Sequence, residues 1–140
     1  MIVVDTNVAS ELMRPSPSPS VVAWVRGSRA SQLHTTAITV AEVLYGVERL
    51  PESPRRRLLG TTAREVFSAF ADRVLAFDER AAEQYAQIVA GREAAGRPIS
   101  GFDAQIAAIC RVHGATLATR NAKDFHATGI TILDPWIARG

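Results

Sequence analysis

The chain has 140 residues, 47% of them hydrophobic, and a net charge of +2, which suits one domain burying roughly two thirds of its unfolded surface. No apolar run approaches the roughly 18 residues of a membrane span, and the opening MIVVDTN meets an acid with no basic segment ahead of it, so neither an anchor nor a signal peptide is expected and the chain reads as cytoplasmic. The basic side is 15 arginines and the single Lys123, with a pI of about 9.2, a balance compatible with a phosphate-bearing partner.

In chain order, IVV (2–4) reads as a short buried strand that runs into Asp5, and VASELM (8–13) as a helix. RPSPSPS (14–20) is a rigid Pro/Ser connector whose Ser20 is placed to cap the helix SVVAWVRG. LHTT (33–36) is a second strand, followed by a helix in VAEVLYGVERL (40–50). A helix over 54–72 is weakened by Gly60 and paired threonines. Arg55, Arg56 and Arg57 oppose its dipole, which puts that turn at the surface as a solvated charge run or a patch facing RNA or a partner.

VLAF (74–77) is the third strand, and ERAAEQYAQIVAGREAAG (79–96) a helix with Tyr85, Ile88 and Val89 on one face. FDAQIAAICRVHG (102–114) places Phe102, Ile106, Ile109 and Cys110 together, and TLAT (116–119) and ITIL (130–133) are the last strands. Gly96 and Gly114 fall where helices stop. Strand–helix alternation predicts an α/β fold, a mainly parallel sheet with helices on both faces, as one domain over 1–140. Cys110 has no disulfide partner and its apolar setting predicts an inert buried thiol.

Ligands of open parallel sheets bind beyond the carboxyl ends of the strands. Asp5 ends the first strand, Glu42 follows the second, Asp103 opens the helix before the fourth, and Asn121 and Asp124 follow the fourth, so all five side chains are expected on one edge. Each has a simpler explanation: Asp5 as a helix cap, Asp124 as a loop acid, and T-x-x-E (39–42) and S-x-x-D (100–103) as capping boxes. Together they ask for more. Two carboxylates about 4 Å apart repel by roughly 4 kcal/mol at an effective dielectric near 20, against a domain stability of about 5–15 kcal/mol. A bound hard divalent ion, Mg²⁺ or Mn²⁺, answers that repulsion, since His34, His113 and His126 are scattered and no zinc spacing exists. Arg120 is adjacent in sequence, but its strand-end position is expected to point it away.

VVDTNV, ITVAEVLYG, FDAQIAA, ATRNAKDF and the closing ITILDPW resemble, in order and spacing over nearly the whole chain, the PIN-domain ribonucleases, specifically the VapC toxins of type II toxin–antitoxin pairs. The resemblance implies a three-layer α/β/α PIN-like fold, Mg²⁺- or Mn²⁺-dependent endoribonuclease activity, homodimerisation and inhibition by a cognate VapB-like antitoxin. It carries Asp5, Glu42 and Asp103 onto the family's metal site and makes Asn121 and Asp124 alternatives or joint contributors at a fourth position. Thr6 and Thr119 correspond to polar positions that orient a ligand or water. The expected reaction is hydrolysis of an RNA phosphodiester by a metal-activated water. No nucleic-acid-binding residue is singled out, although Trp24 and Tyr45 lie on helices that could line a dimer or antitoxin groove. An aspartyl-nucleophile phosphatase is the first alternative, but Asn7 stands where such an enzyme carries its second acid; a non-enzymatic metal- or nucleic-acid-binding α/β module is the other.

Overall fold

The computed structural model describes residues 1–137. Strands β1 (Ile2–Val4), β2 (Leu33–Thr36), β3 (Val74–Leu75), β4 (Thr116–Ala118) and β5 (Thr131–Leu133) form a sheet in the order β3-β2-β1-β4-β5, and every pairing is parallel. Helices α1 (Thr6–Leu12), α2 (Pro19–Gly27), α3 (Ala37–Glu48), α4 (Pro54–Ser68), α5 (Glu79–Ala94) and α6 (Gly101–His113) connect them, with 3₁₀ turns at Ala30–Gln32 and Ala122–Phe125.

Neighbouring strand residues serve opposite layers, as the period of two requires. Val3 and Leu117 pack with Ile88 of α5 and with Ile106 and Ile109 of α6, whereas Val4 and Ala118 pack with Val8, Val21, Trp24 and Val43 of α1, α2 and α3. The result is the expected three-layer α/β/α arrangement. The chain winds from β1 through β2 to β3, and α5 and α6 then return it across the sheet to β4, on the other side of β1. Strand order therefore reverses between β1 and β4, and the crevice at their carboxyl ends is the place such sheets reserve for ligands.

Helix starts follow their caps. Helix α1 begins two residues earlier than its apolar pattern because Asp5 accepts a hydrogen bond from the Thr6 N–H at 2.8 Å. Helix α3 begins at Ala37 because Thr36, the last residue of β2, accepts from the Thr39 N–H at 3.0 Å. Thr39 is thus the third residue of the helix rather than its cap, and the capping-box reading of Glu42 fails. Ser100 does cap α6, accepting from the Asp103 N–H at 3.2 Å. Ser18, with Pro19 behind it, rather than Ser20, precedes α2.

Other expectations are corrected by packing. Helix α4 stops at Ser68, and the chain turns through Ala71 at φ 50. Phe102 does not share the buried face of Ile106 and Ile109 but is 51% exposed, and Trp24 is a core residue at 5%. The Arg55–Arg57 run is partly consumed by ion pairs, Arg56 with Glu48 at 2.8 Å and Arg57 with Glu52 at 2.9 Å. Arg55 is exposed. The Pro/Ser connector is clasped to α1: the buried Glu11 carboxylate accepts from the Ser18 N–H at 2.9 Å and from Arg14 at 3.3 Å. Those contacts hold Glu11 below its ordinary pKa, the Ser18 N–H foremost. Among the described residues no helix is long and apolar enough to cross a membrane.

Candidate active site at the reversal of strand order

Asp5 is fixed before its side chain is considered, since its backbone N–H donates to Ala118 O of β4 at 3.0 Å. The side chain is 3% exposed. One carboxylate oxygen takes the Thr6 N–H; the other accepts from the Thr119 hydroxyl at 2.7 Å and more weakly from Asn7 Nδ2 at 3.4 Å. Burial pushes the Asp5 pKa up to about 6; the Thr119 and Thr6 hydrogen bonds oppose the rise, and the charges of Asp103 and Glu42 add to it. Asp5 is both a helix cap and a site acid, because a strand that ends at the crevice presents its cap residue there.

Glu42 reaches the same edge from the second turn of α3. Its Oε1 accepts from the Thr6 hydroxyl at 2.8 Å, and Thr39 Oγ1 lies 3.3 Å from the same hydroxyl. Burial raises the Glu42 pKa, with a further push from Asp103. Asp103 comes from the first turn of α6 and is raised by burial, then by Asp124, while the Arg92 charge pulls it down. The three acids sense one another electrostatically. Yet among the described residues no three His, Cys, Asp or Glu side chains close around a single point.

Thr119 is the hub of the crevice. Its hydroxyl donates to Asp5 and accepts from Asn7 Nδ2 at 2.9 Å and from the Asn121 N–H at 3.1 Å. Asn7, expected only as an argument against a phosphatase, also accepts from the Arg120 N–H at 3.2 Å, tying β1 to the segment after β4. Asn121 joins this network through its backbone. Asp124 is exposed, in the 3₁₀ turn Ala122–Phe125, where its charge acts on Asp103.

Arg92 is a residue the sequence reading missed. It is 6% exposed, and its guanidinium donates to Arg97 O at 2.6 Å, Asp124 O at 3.0 Å, His126 O at 2.9 Å and Pro98 O at 3.4 Å. One buried cation therefore staples the loop leading to Asp103 onto the turn carrying Asp124. An arginine in the last turn of a helix that stops just before Gly96 is the available sequence signal, but four carbonyl acceptors leave no residue-type signature.

The donor set of Asp5, Glu42 and Asp103 with Thr6 and Thr119 is all oxygen, and none of these acids is ion-paired to a basic side chain among the described residues. That chemistry fits a hard divalent cation. A groove of about 540 Å³ runs from Thr6 and Glu42 between α1, α3 and α4, past Met13, Val47 and Leu58, with Arg14 and Arg55 on its lining. Tyr45, on α3, is 66% exposed.

The family profile described as PIN domain matches residues 2–130. The VapC ribonuclease Y4jK of Sinorhizobium fredii is 40% identical over 137 residues, which cover 97% of this chain and 98% of that protein. Toxin FitB of Neisseria gonorrhoeae is 38% identical over 137 residues, covering 97% and 99%. The crystal structure of FitAcB from Neisseria gonorrhoeae matches with a TM-score of 0.91 at 37% identity, covering 99% of this chain and 100% of that one.

Proposed function

This chain belongs to the PIN-domain family, alongside VapC ribonucleases and the FitB toxin, and we propose that it is a divalent-metal-dependent endoribonuclease, the toxin of a toxin–antitoxin pair. The observation that carries the reading is that Asp5, Glu42 and Asp103 lie near enough at the β1/β4 crevice to raise one another's pKa, with none of them ion-paired to a basic side chain among the described residues.

Asp5 and Asp103, with Glu42 beside them, would hold Mg²⁺ or Mn²⁺. Such an ion, when bound, neutralises phosphodiester charge and makes a water nucleophile available at neutral pH. The protein's own part is positional. Thr119 and the Thr6 N–H fix both oxygens of Asp5, Thr6 fixes one oxygen of Glu42, and Ser100 sets the helix start that carries Asp103. Asp124, acting on Asp103, is favoured over the Asn121 side chain at the fourth position. With its acids neutralised, the crevice admits a polyanion, and single-stranded RNA is the substrate whose bases and backbone are accessible to it.

The inhibitor in this reading is a cognate VapB-like antitoxin whose peptide occupies the groove opening onto Thr6 and Glu42, where it reaches the acids directly. A homodimer is part of the same proposal, and light scattering that gives a monomer at micromolar concentration would remove it. The principal test is incubation of antitoxin-free protein with total bacterial RNA. Discrete new ends that need Mg²⁺ or Mn²⁺ and vanish with chelator are expected. Cleavage unaffected by chelator would reject the metal, and transfer of phosphate to the protein would favour a phosphoenzyme instead.

A further inference from the structure

Arg120 is turned away from the three acids, in line with its strand-end position, yet it is unlike a free surface arginine. Its backbone N–H is held by Asn7 Oδ1 at 3.2 Å, directly after Thr119, which touches Asp5. Its guanidinium carbon lies over the Trp136 ring, 4.7 Å from the centroid. Trp136 is itself placed by a turn in which its N–H donates to Asp134 Oδ1 at 2.8 Å, and its ring packs against the α1–α4 core. Among the described residues the guanidinium makes no ion pair. The exposed arginine thus keeps its N–H donors for a ligand while the indole restricts its motion.

Arg120 acts on Glu11, which Ser18 and Arg14 already satisfy, and does not figure among the charges that set Asp5, Glu42 or Asp103. Its backbone is tied to Asn7 directly after Thr119, so it puts a positive charge on the segment that borders the crevice. A polyanion crossing an acidic crevice needs such a charge on the rim. Guanidinium forks match phosphate oxygens, and an arginine already held in place loses less conformational freedom on binding.

Resting on the endoribonuclease reading above, we propose that Arg120, held over Trp136, binds a backbone phosphate of single-stranded RNA next to the bond that is cut at Asp5, Glu42 and Asp103. Arg120 is in this account a substrate-positioning residue, and Trp136 supports it.

The test is fluorescence anisotropy with a short fluorescein-labelled RNA of mixed sequence, across a salt series and in Ca²⁺, which takes oxygen ligands in looser geometry than Mg²⁺, with the RNA checked on a gel to be uncut. The protein is the full chain with its acids intact. Adding Arg120→Gln should raise Kd about 5- to 10-fold and reduce the slope of log Kd against log salt by about 0.7, the value of one phosphate contact on a single strand. Trp136→Leu should weaken binding about 3-fold with the slope retained, since the charge remains. Arg29→Gln, the same charge change at the opposite sheet edge, controls for net charge. Equal effects of Arg120→Gln and Arg29→Gln would overturn the assignment while leaving the nuclease reading in place. No RNA binding by the folded parent would overturn both.

Discussion

Asp5 and Thr119 directly follow the adjacent parallel strands β1 and β4, and the Thr119 hydroxyl donates to Asp5 Oδ2 at 2.7 Å while accepting from Asn7 and from the Asn121 backbone. Thr119→Val removes the donor and leaves a buried carboxylate less satisfied. Loss of such a supporting hydrogen bond to a metal-site acid is expected to lower kcat/KM by about 10- to 100-fold and to move the acid limb of the pH–rate profile upward. Thr119→Ser should restore both, and an unshifted profile for Thr119→Val would contradict the role.

Asp5 also predicts a pH dependence of stability. Its folded pKa, about 6, lies above its ordinary 3.8, so the folded state holds the proton more tightly than the unfolded chain. The associated stability is complete below about pH 3.8 and is lost as the pH rises to about 6. It amounts to something on the order of 3 kcal/mol. Glu42 and Asp103 are raised and act in the same direction. Urea unfolding of chelator-treated protein should show this decline, Asp5→Asn should flatten it, and Mg²⁺ at neutral pH should reverse it by binding the ionised acids.

Arg92→Met should destabilise the fold by about 3 kcal/mol, because charge-assisted hydrogen bonds to four carbonyls are lost within a buried site. The loss is local as well as global. Hydrogen exchange should accelerate in residues 97–100 and 122–129, and activity should fall with the loosened Asp103 and Asp124 loops. A variant with unchanged exchange there would show that the staple is dispensable.

Cys110 is fully buried and burial pushes its thiol pKa up to about 12, with a smaller push from Asp5. A thiol reagent at pH about 8 should leave the native protein unlabelled and react on unfolding. Rapid labelling of the folded chain would mean that the α6 core opens.

Much of the fold was legible because its signals are local. Short apolar runs bounded by helical patterns gave all five strands to within two residues, and the order of strands and helices put Asp5, Glu42 and Asp103 on one edge. Misreadings arose where local signals compete. HTTAIT offers several threonines as caps, and only the end of β2 at Thr36 decides among them. Phe102 fits the apolar face by spacing, yet it lies in the first turn of α6, where the helix projects toward solvent. Arg92 and Arg120 were opaque for a further reason: their partners are backbone carbonyls or an indole distant in sequence, which no periodicity encodes.

The central claim is that Asp5 and Asp103 hold the divalent cation used to cut RNA. The most direct measurement is Mn²⁺ binding by the purified, antitoxin-free chain, followed by electron paramagnetic resonance, with Asp5→Asn and Asp103→Asn measured alongside and RNA cleavage assayed on the same samples. Binding by the parent that is lost in each folded variant, together with cleavage, is the predicted result. Variants that bind Mn²⁺ and cut RNA as the parent does would contradict it.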